Sequence, residues 1–193
     1  MSVRLSTVRF KRDVLILLLL VGCVGCDQLT KDVAQQYLAS EPPRSWLYDT
    51  VRLEYAENTG AFLSLGSGFS EWLRVILFQV FPALWLIGLA IFLFVAKQIP
   101  PLSAVAWSFV LSGGIGNLLD RLLHDGRVID FMNVGIGSLR TGIFNVADVC
   151  ITMGLSLLVL EVLRYYSDHL LFQQMNRVLA IARDSTLDPR GCV

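Results

Sequence analysis

The chain has 193 residues, 54% of them hydrophobic and 17% charged, with a mean hydropathy of +0.60 and a formal net charge of zero. Apolar residues at that density, gathered in blocks, exclude an ordinary soluble domain. The balanced charge provides no field for a polyanion, so nucleic acid is not an expected partner.

Four segments approach the roughly 20 residues needed to cross a bilayer. They are predicted at about 14–33, 73–96, 102–122 and 144–163, as a compact antiparallel bundle. The first follows Arg4, Arg9, Lys11 and Arg12, and its last third is polar. Within it, Leu20-Val21-Gly22-Cys23 reads like a lipoprotein signal with its lipobox. Three further spans after Cys23 argue instead for an uncleaved first span. Cys23 and Cys26 form a C-x-x-C inside an apolar span, away from a helix start beside a strand, and read as packing residues. Cys150 and Cys192 imply no disulfide framework.

After the first span, Val51, Leu53 and Tyr55 alternate with Arg52 and Glu54, a strand pattern. Asn58-Thr59-Gly60 supplies turn residues. A small sheet is expected from about 45–65, lying at the membrane surface. Trp46, Tyr48, Tyr55 and Trp72 suit an interfacial aromatic belt. Acids predominate in 41–57, whereas Lys97 separates spans two and three, and Arg164, Arg177 and Arg183 follow span four. The positive-inside rule then places both termini in the cytoplasm and loops 34–71 and 123–143 outside. Within span two, Gln79 is polar and Pro82 is expected to kink the helix.

Span three ends in Gly113-Gly114-Ile115-Gly116-Asn117-Leu118-Leu119-Asp120-Arg121. The next loop carries Val128-Ile129-Asp130-Phe131, and span four opens with Phe144-Asn145-Val146-Ala147-Asp148. Carboxylates are costly near lipid and usually mark a reaction site or an ion path. The spacing of Asn117 to Asp120 recurs as Asn145 to Asp148. Residues three apart share a helix face, so each helix end offers one amide and one acid to one neighbour. At the α-helical rise, Asp27 lies about 22 Å beyond Arg12, Asp120 about 27 Å beyond Leu102, and Asp148 about 6 Å beyond Phe144. All reach one level near the outer surface. A proton or ion carrier needs polar groups through the whole thickness, and the inner halves of spans one, three and four are nearly bare.

No Ser, Cys or His constellation competes. His124 and His169 stand alone, nothing marks a metal site, and no cofactor is expected. Two close carboxylates in a low-dielectric site share a proton. The ionised one activates water and the protonated one polarises a carbonyl. Four acids are candidates. Asp27 has Lys31 at ion-pair spacing, and Asp120 adjoins Arg121, expected to hold it ionised. Asp130 and Asp148 lie in apolar company, and the residues lean towards these two. Asp120 remains an alternative partner for Asp148. Asn58, Asn117, Asp120, Arg121 and Asn145 are expected to orient the pair and bind substrate backbone. Asp27 and Lys31 are expected to brace span one. Gly113 and Gly116 serve either close helix packing or a substrate groove.

Five blocks in this order resemble those of the lipoprotein signal peptidases (signal peptidase II), bacterial aspartic proteases of the inner membrane. They are Asp27-Gln28-Leu29-Thr30-Lys31, Glu54 through Phe62, Gly113 through Arg121, Val128 through Phe131, and Phe144 through Asp148. The resemblance runs from about Asp13 to Arg164. It implies an all-α membrane fold, a four-transmembrane-helix bundle with a small extracytoplasmic β-sheet cradle. By motif it implies Asp130 and Asp148 as the catalytic pair. It also implies cleavage of diacylglyceryl-modified prolipoproteins on the amino side of the lipidated cysteine, and inhibition by globomycin. Membrane lipid is the expected surrounding and a monomer the expected state. Residues 1–166 are expected to form a single membrane-embedded domain. Residues 167–193 are expected to be a cytoplasmic tail, with Leu171, Met175, Val178 and Leu179 spaced for an interfacial helix.

Overall fold

A computed structural model describes residues 2–61 and 65–186; the side chains of 2–8, 171, 174 and 176–186 lie outside that description. In chain order the elements are α1 (Ser2–Leu38), β1 (Arg44–Trp46), β2 (Val51–Asn58), α2 (Glu71–Val75), a π-helical turn (Ile76–Val80), α3 (Phe81–Val95), α4 (Pro101–Leu123), β3 (Val128–Ile136), β4 (Leu139–Arg140) and α5 (Val146–Thr186).

Among the described residues, four helical segments are long and apolar enough to cross a membrane: Arg9–Leu38, Glu71–Val95, Pro101–Leu123 and Val146–Leu170. The first outlasts its predicted end at Val33 because its polar residues Asp27 and Lys31 are buried and paired with each other. The last begins two residues later than predicted, after Asn145. Pro101 occupies the first turn of α4, where a missing N–H costs nothing. Pro82 likewise sits at the start of α3, directly after the π-helical turn, where the Phe81 N–H reaches the Ile76 carbonyl. The irregularity of span two is therefore this wider turn, which hands the chain on to a new first turn at Pro82.

α5 runs unbroken to Thr186, about 60 Å at 1.5 Å per residue. That is about twice the hydrocarbon thickness. Residues 167–186 prolong the fourth span instead of forming a separate helix. The side chains of Arg177, Val178, Leu179 and Arg183, and all of Cys192, lie outside the described residues.

The four strands form one antiparallel sheet in the order β1-β2-β3-β4 at one end of the bundle. The expected β segment resolves into β1 and β2 and ends at Asn58; Phe62 lies outside the described residues. The sheet's third strand, β3, comes from the loop after span three, where no strand was predicted. Val128–Phe131 are buried in succession, covered on both faces, so the alternation that reveals a strand is missing. Between β2 and β3 the register slips: Leu53 faces Met132, but Ala56 faces Asp130. Glu54 and Tyr55 thus oppose Phe131 alone, a bulge of the kind that re-aims side chains beside sites.

An apolar core of Ile16, Leu86, Leu89, Leu93, Val110 and Leu111 joins α1, α3 and α4. A second cluster, Ala34, Leu38 and Phe131, seals α1 to the sheet. Tyr55 packs on that cluster and is half-buried, unlike Trp46, Tyr48 and Trp72, which are exposed as an aromatic belt requires. At the end opposite the sheet, Arg9 Nη2 donates to the Phe94 carbonyl at 2.7 Å and Arg12 Nη1 to Ala96 at 2.8 Å. These bonds satisfy carbonyls left open at the end of α3. Cys23 is half-buried, Cys26 exposed and Cys150 buried, and all three are free thiols.

Candidate active site

Between the two apolar clusters lies a polar network. Lys31 is 1% exposed, as are Asp27 and, at 0%, Asp120. The Lys31 ammonium lies 2.8 Å from Asp27 Oδ2 and 3.0 Å from Asp120 Oδ2, and donates to Asn117 Oδ1 at 3.1 Å. Asp27 Oδ1 accepts the Ala147 N–H at 2.8 Å, in the first turn of α5. Asp120 Oδ2 accepts the Ile129 N–H at 2.9 Å, next to Asp130 in β3. One buried cation and two carboxylates thus fix α1, α4, α5 and β3 relative to one another. Gln28, whose role the sequence did not reveal, donates to Asp120 Oδ1 at 2.9 Å. Arg121 was expected to hold Asp120 ionised and does not pair with it. Its Nη2 instead donates to the Gly60 carbonyl at 2.9 Å and its Nη1 to the Asn117 carbonyl at 3.2 Å.

Asn145 caps α5. Its Oδ1 accepts the Asp148 N–H at 3.0 Å while Asp148 Oδ2 accepts the Asn145 N–H at 3.2 Å, a reciprocal capping box. Asp148 Oδ1 accepts from Asn117 Nδ2 at 2.9 Å. Asn145 Nδ2 donates to Asp130 Oδ1 at 2.7 Å and to Asn117 Oδ1 at 3.1 Å. Asn58 Nδ2 donates to Asp130 Oδ2 at 3.2 Å. The Asn117/Asp120 pair therefore meets Lys31, and the Asn145/Asp148 pair meets Asn117.

A cavity of about 220 Å³ opens onto this network, lined by Asn58, Asn117, Arg121, Asp130, Asp148 and Thr152, with apolar walls from Val128, Ile143 and Ile151. Thr152 went unremarked in the sequence, yet it lies four residues after Asp148 and shares its helix face. Asp120 and Asp27 do not line the cavity; both are spent on Lys31 and backbone N–H groups. Asp130 is 3% exposed. Burial, then the charge of Asp148, pushes its carboxyl up to about 6, against the pull of Asn58, Asn145 and Lys31.

That shift has a consequence for stability. Between about pH 4 and 6 the folded state keeps the Asp130 proton while the unfolded state has lost it. Folding is therefore weakened as pH rises through this window, by about 3 kcal/mol in total. Asp130→Asn removes the loss. The unfolding temperature of the variant relative to the unsubstituted protein should climb as pH goes from 4 to 7, and parallel curves would contradict the assignment.

Gly113 and Gly116 do not line the cavity. A Cβ on Gly113 would strike the Ala147 carbonyl oxygen, and one on Gly116 would stand 2.5 Å from Asp27 Oδ2. Both let α4 close on its neighbours, as the packing alternative requires. Gly116→Ala is expected to lower stability by about 1–3 kcal/mol, read as a drop in unfolding temperature. An unchanged midpoint would show that Asp27 can move aside.

A membrane-embedded enzyme is the class this build defines, and solved structures agree. Two bacterial membrane enzyme structures superpose on it. One has a TM-score of 0.69 at 27% identity, covering 79% of this chain and 90% of the other; the second has 0.63 at 26%, covering 77% and 92%. The family model for signal peptidase (SPase) II matches residues 19–164, and the chain belongs to that family. Its similarity to the lipoprotein signal peptidase of Treponema denticola is 36% identity over 155 residues, 75% of this chain and 88% of that protein. For the Borrelia hermsii lipoprotein signal peptidase it is 32% over 142 residues, 71% and 82%.

Proposed function

We propose that this chain is an aspartic endopeptidase in which Asp130 and Asp148 act as one proton-sharing pair. As a member of the signal peptidase II family it removes signal peptides from prolipoproteins. The observation that carries the reading is that these two acids are the ones that line the cavity opening onto the polar network, both tied to Asn145. Asp148 sits in the first turn of α5, where the helix dipole favours negative charge. In this reading it takes a proton from the attacking water. Asp130, buried and slow to ionise, donates to the scissile carbonyl, and a proton then passes to the leaving amine. Asn58, Asn117 and Asn145 hold the pair, and Arg121 offers its guanidinium to the substrate backbone.

The substrate proposed is a diacylglyceryl-modified precursor, cut on the amino side of the lipidated cysteine. A second pocket supports this. It is mostly apolar, runs from Arg140 and Ile143 to Val149 and Met153, and shares Asp148 and Thr152 with the first cavity. The sheet end is proposed to face outward. The basic residues Arg9, Arg12 and Lys97 at the opposite end support cytoplasmic termini. Globomycin-type inhibition and a monomeric state belong to the same proposal. Two carboxylates need no metal for this chemistry. Purified protein should cleave the diacylglyceryl precursor in the presence of EDTA and leave the unmodified precursor intact. Loss of activity on chelation, restored by zinc, would refute the two-carboxylate mechanism; equal cleavage of both precursors would remove lipid from recognition.

A further inference from the structure

A separate cavity of about 280 Å³ opens at the sheet end, between α2, the π-helical turn, the end of α4 and the loop behind it. Its polar lining is Glu71, Arg74, Gln79, Arg121 and Asp125. Among the described residues three buried side-chain nitrogens have no hydrogen-bond partner, and two of them, Nε of Arg74 and Nε of Arg121, belong to arginines that line this cavity. Neither arginine forms an ion pair with Glu71 or Asp125, although both acids line the same cavity. Buried donors without acceptors are costly and rare in native proteins. Guanidinium N–H groups are matched by carboxylate and phosphate oxygens, and the carboxylates of this cavity leave these donors unpaired.

The cavity's place in the bundle narrows the ligand. Arg74 lies about 5 Å along span two from Glu71, at interfacial depth. Trp72 beside it is 65% exposed, as headgroup-level aromatics are. Val75, Ile76 and Leu122 are exposed next to the opening and offer an apolar bed for acyl chains. The π-helical turn brings Phe78 within 5.9 Å of the Arg121 guanidinium and sets Gln79 against Gly126. Two cations and two anions around one cavity match a group that carries both signs.

We infer that this cavity binds the headgroup of an aminophospholipid, its phosphodiester on Arg74 and Arg121 and its ammonium on Glu71 and Asp125. The site is independent of the proton-sharing pair, but Arg121 belongs to both cavities. Its Nη groups hold the Gly60 and Asn117 carbonyls, and a phosphate drawn to the unpartnered Nε edge would fix the guanidinium from its remaining side.

Native mass spectrometry of the purified protein tests this, with phosphatidylethanolamine, phosphatidylglycerol and phosphatidylcholine of identical acyl chains as probes. Phosphatidylethanolamine should be retained most. Arg74→Gln should cut its retention about tenfold, the loss of one charge-assisted contact. Glu71→Gln with Asp125→Asn should erase the preference over phosphatidylglycerol. If Arg74→Gln does not fold, Gln79→Ala serves, with a severalfold loss expected. Equal retention of the three lipids, or unchanged retention by the foldable variant, would overturn the inference. Displacement by millimolar inorganic phosphate without any lipid preference would assign the site to a free anion and overturn it too.

Discussion

Asp148→Asn is expected to lower turnover by about 10²–10⁴-fold, while the protein still folds and enters the membrane. Asparagine keeps the size of the side chain and can still accept from Asn117 Nδ2, which approaches Asp148 Oδ1 at 2.9 Å. What it cannot do is take a proton from water. The α5 cap survives in part, because the Asp148 N–H still reaches Asn145 Oδ1. Asp130→Asn, at the other acid of the cavity, should cost about as much. The double variant should be little worse than either single one, since groups that work as a unit are not additive. Turnover is measured on purified variants at equal folded concentration. Near-normal turnover by Asp148→Asn would remove the mechanism.

Lys31→Met is expected to cost the fold itself. It leaves Asp27 and Asp120 buried at 1% and 0% exposure with no cation. Stranding a buried charge costs about 3–5 kcal/mol, a large part of the roughly 5–15 kcal/mol that holds a typical domain. The damage spreads because the same two carboxylates accept the Ala147 and Ile129 N–H groups that place Asp148 and Asp130. Adding Asp27→Asn and Asp120→Asn to Lys31→Met removes the stranded charges and should restore much of the unfolding temperature. Activity should stay low, since Asn117 loses the ammonium that orients its amide. A single Lys31→Met variant that melts like the unsubstituted protein would show that water reaches the triad.

Much of the site could be read from spacing, because helix geometry converts spacing into proximity. Lys31 four residues after Asp27, and Asp148 three after Asn145, are contacts within one helix. Depth counting placed Asp27, Asp120 and Asp148 at one level for the same reason. Other features depend on how elements pack. Arg121 turns to Gly60 rather than to its neighbour Asp120, a choice made by the β2–α2 connection. β3 was hidden because burial on both faces removes its alternation, and with it the bulge that sets Asp130 opposite Ala56. Gly113 and Gly116 could be assigned to packing only once Ala147 and Asp27 were seen against them. The unbroken run of α5 past Leu170 left no signal, since nothing in 164–172 punctuates a helix.

In the proposed mechanism Asp130, and not Asp120, shares a proton with Asp148. Asp130 lines the cavity, whereas Asp120 is committed to Lys31, Gln28 and the Ile129 N–H. Turnover of a diacylglyceryl-modified precursor by Asp130→Asn and by Asp120→Asn, purified side by side and matched for folded protein, decides between them. An inactive Asp130→Asn beside a weakened but active Asp120→Asn is expected; an active Asp130→Asn beside an inactive Asp120→Asn would assign the shared proton to Asp120 instead.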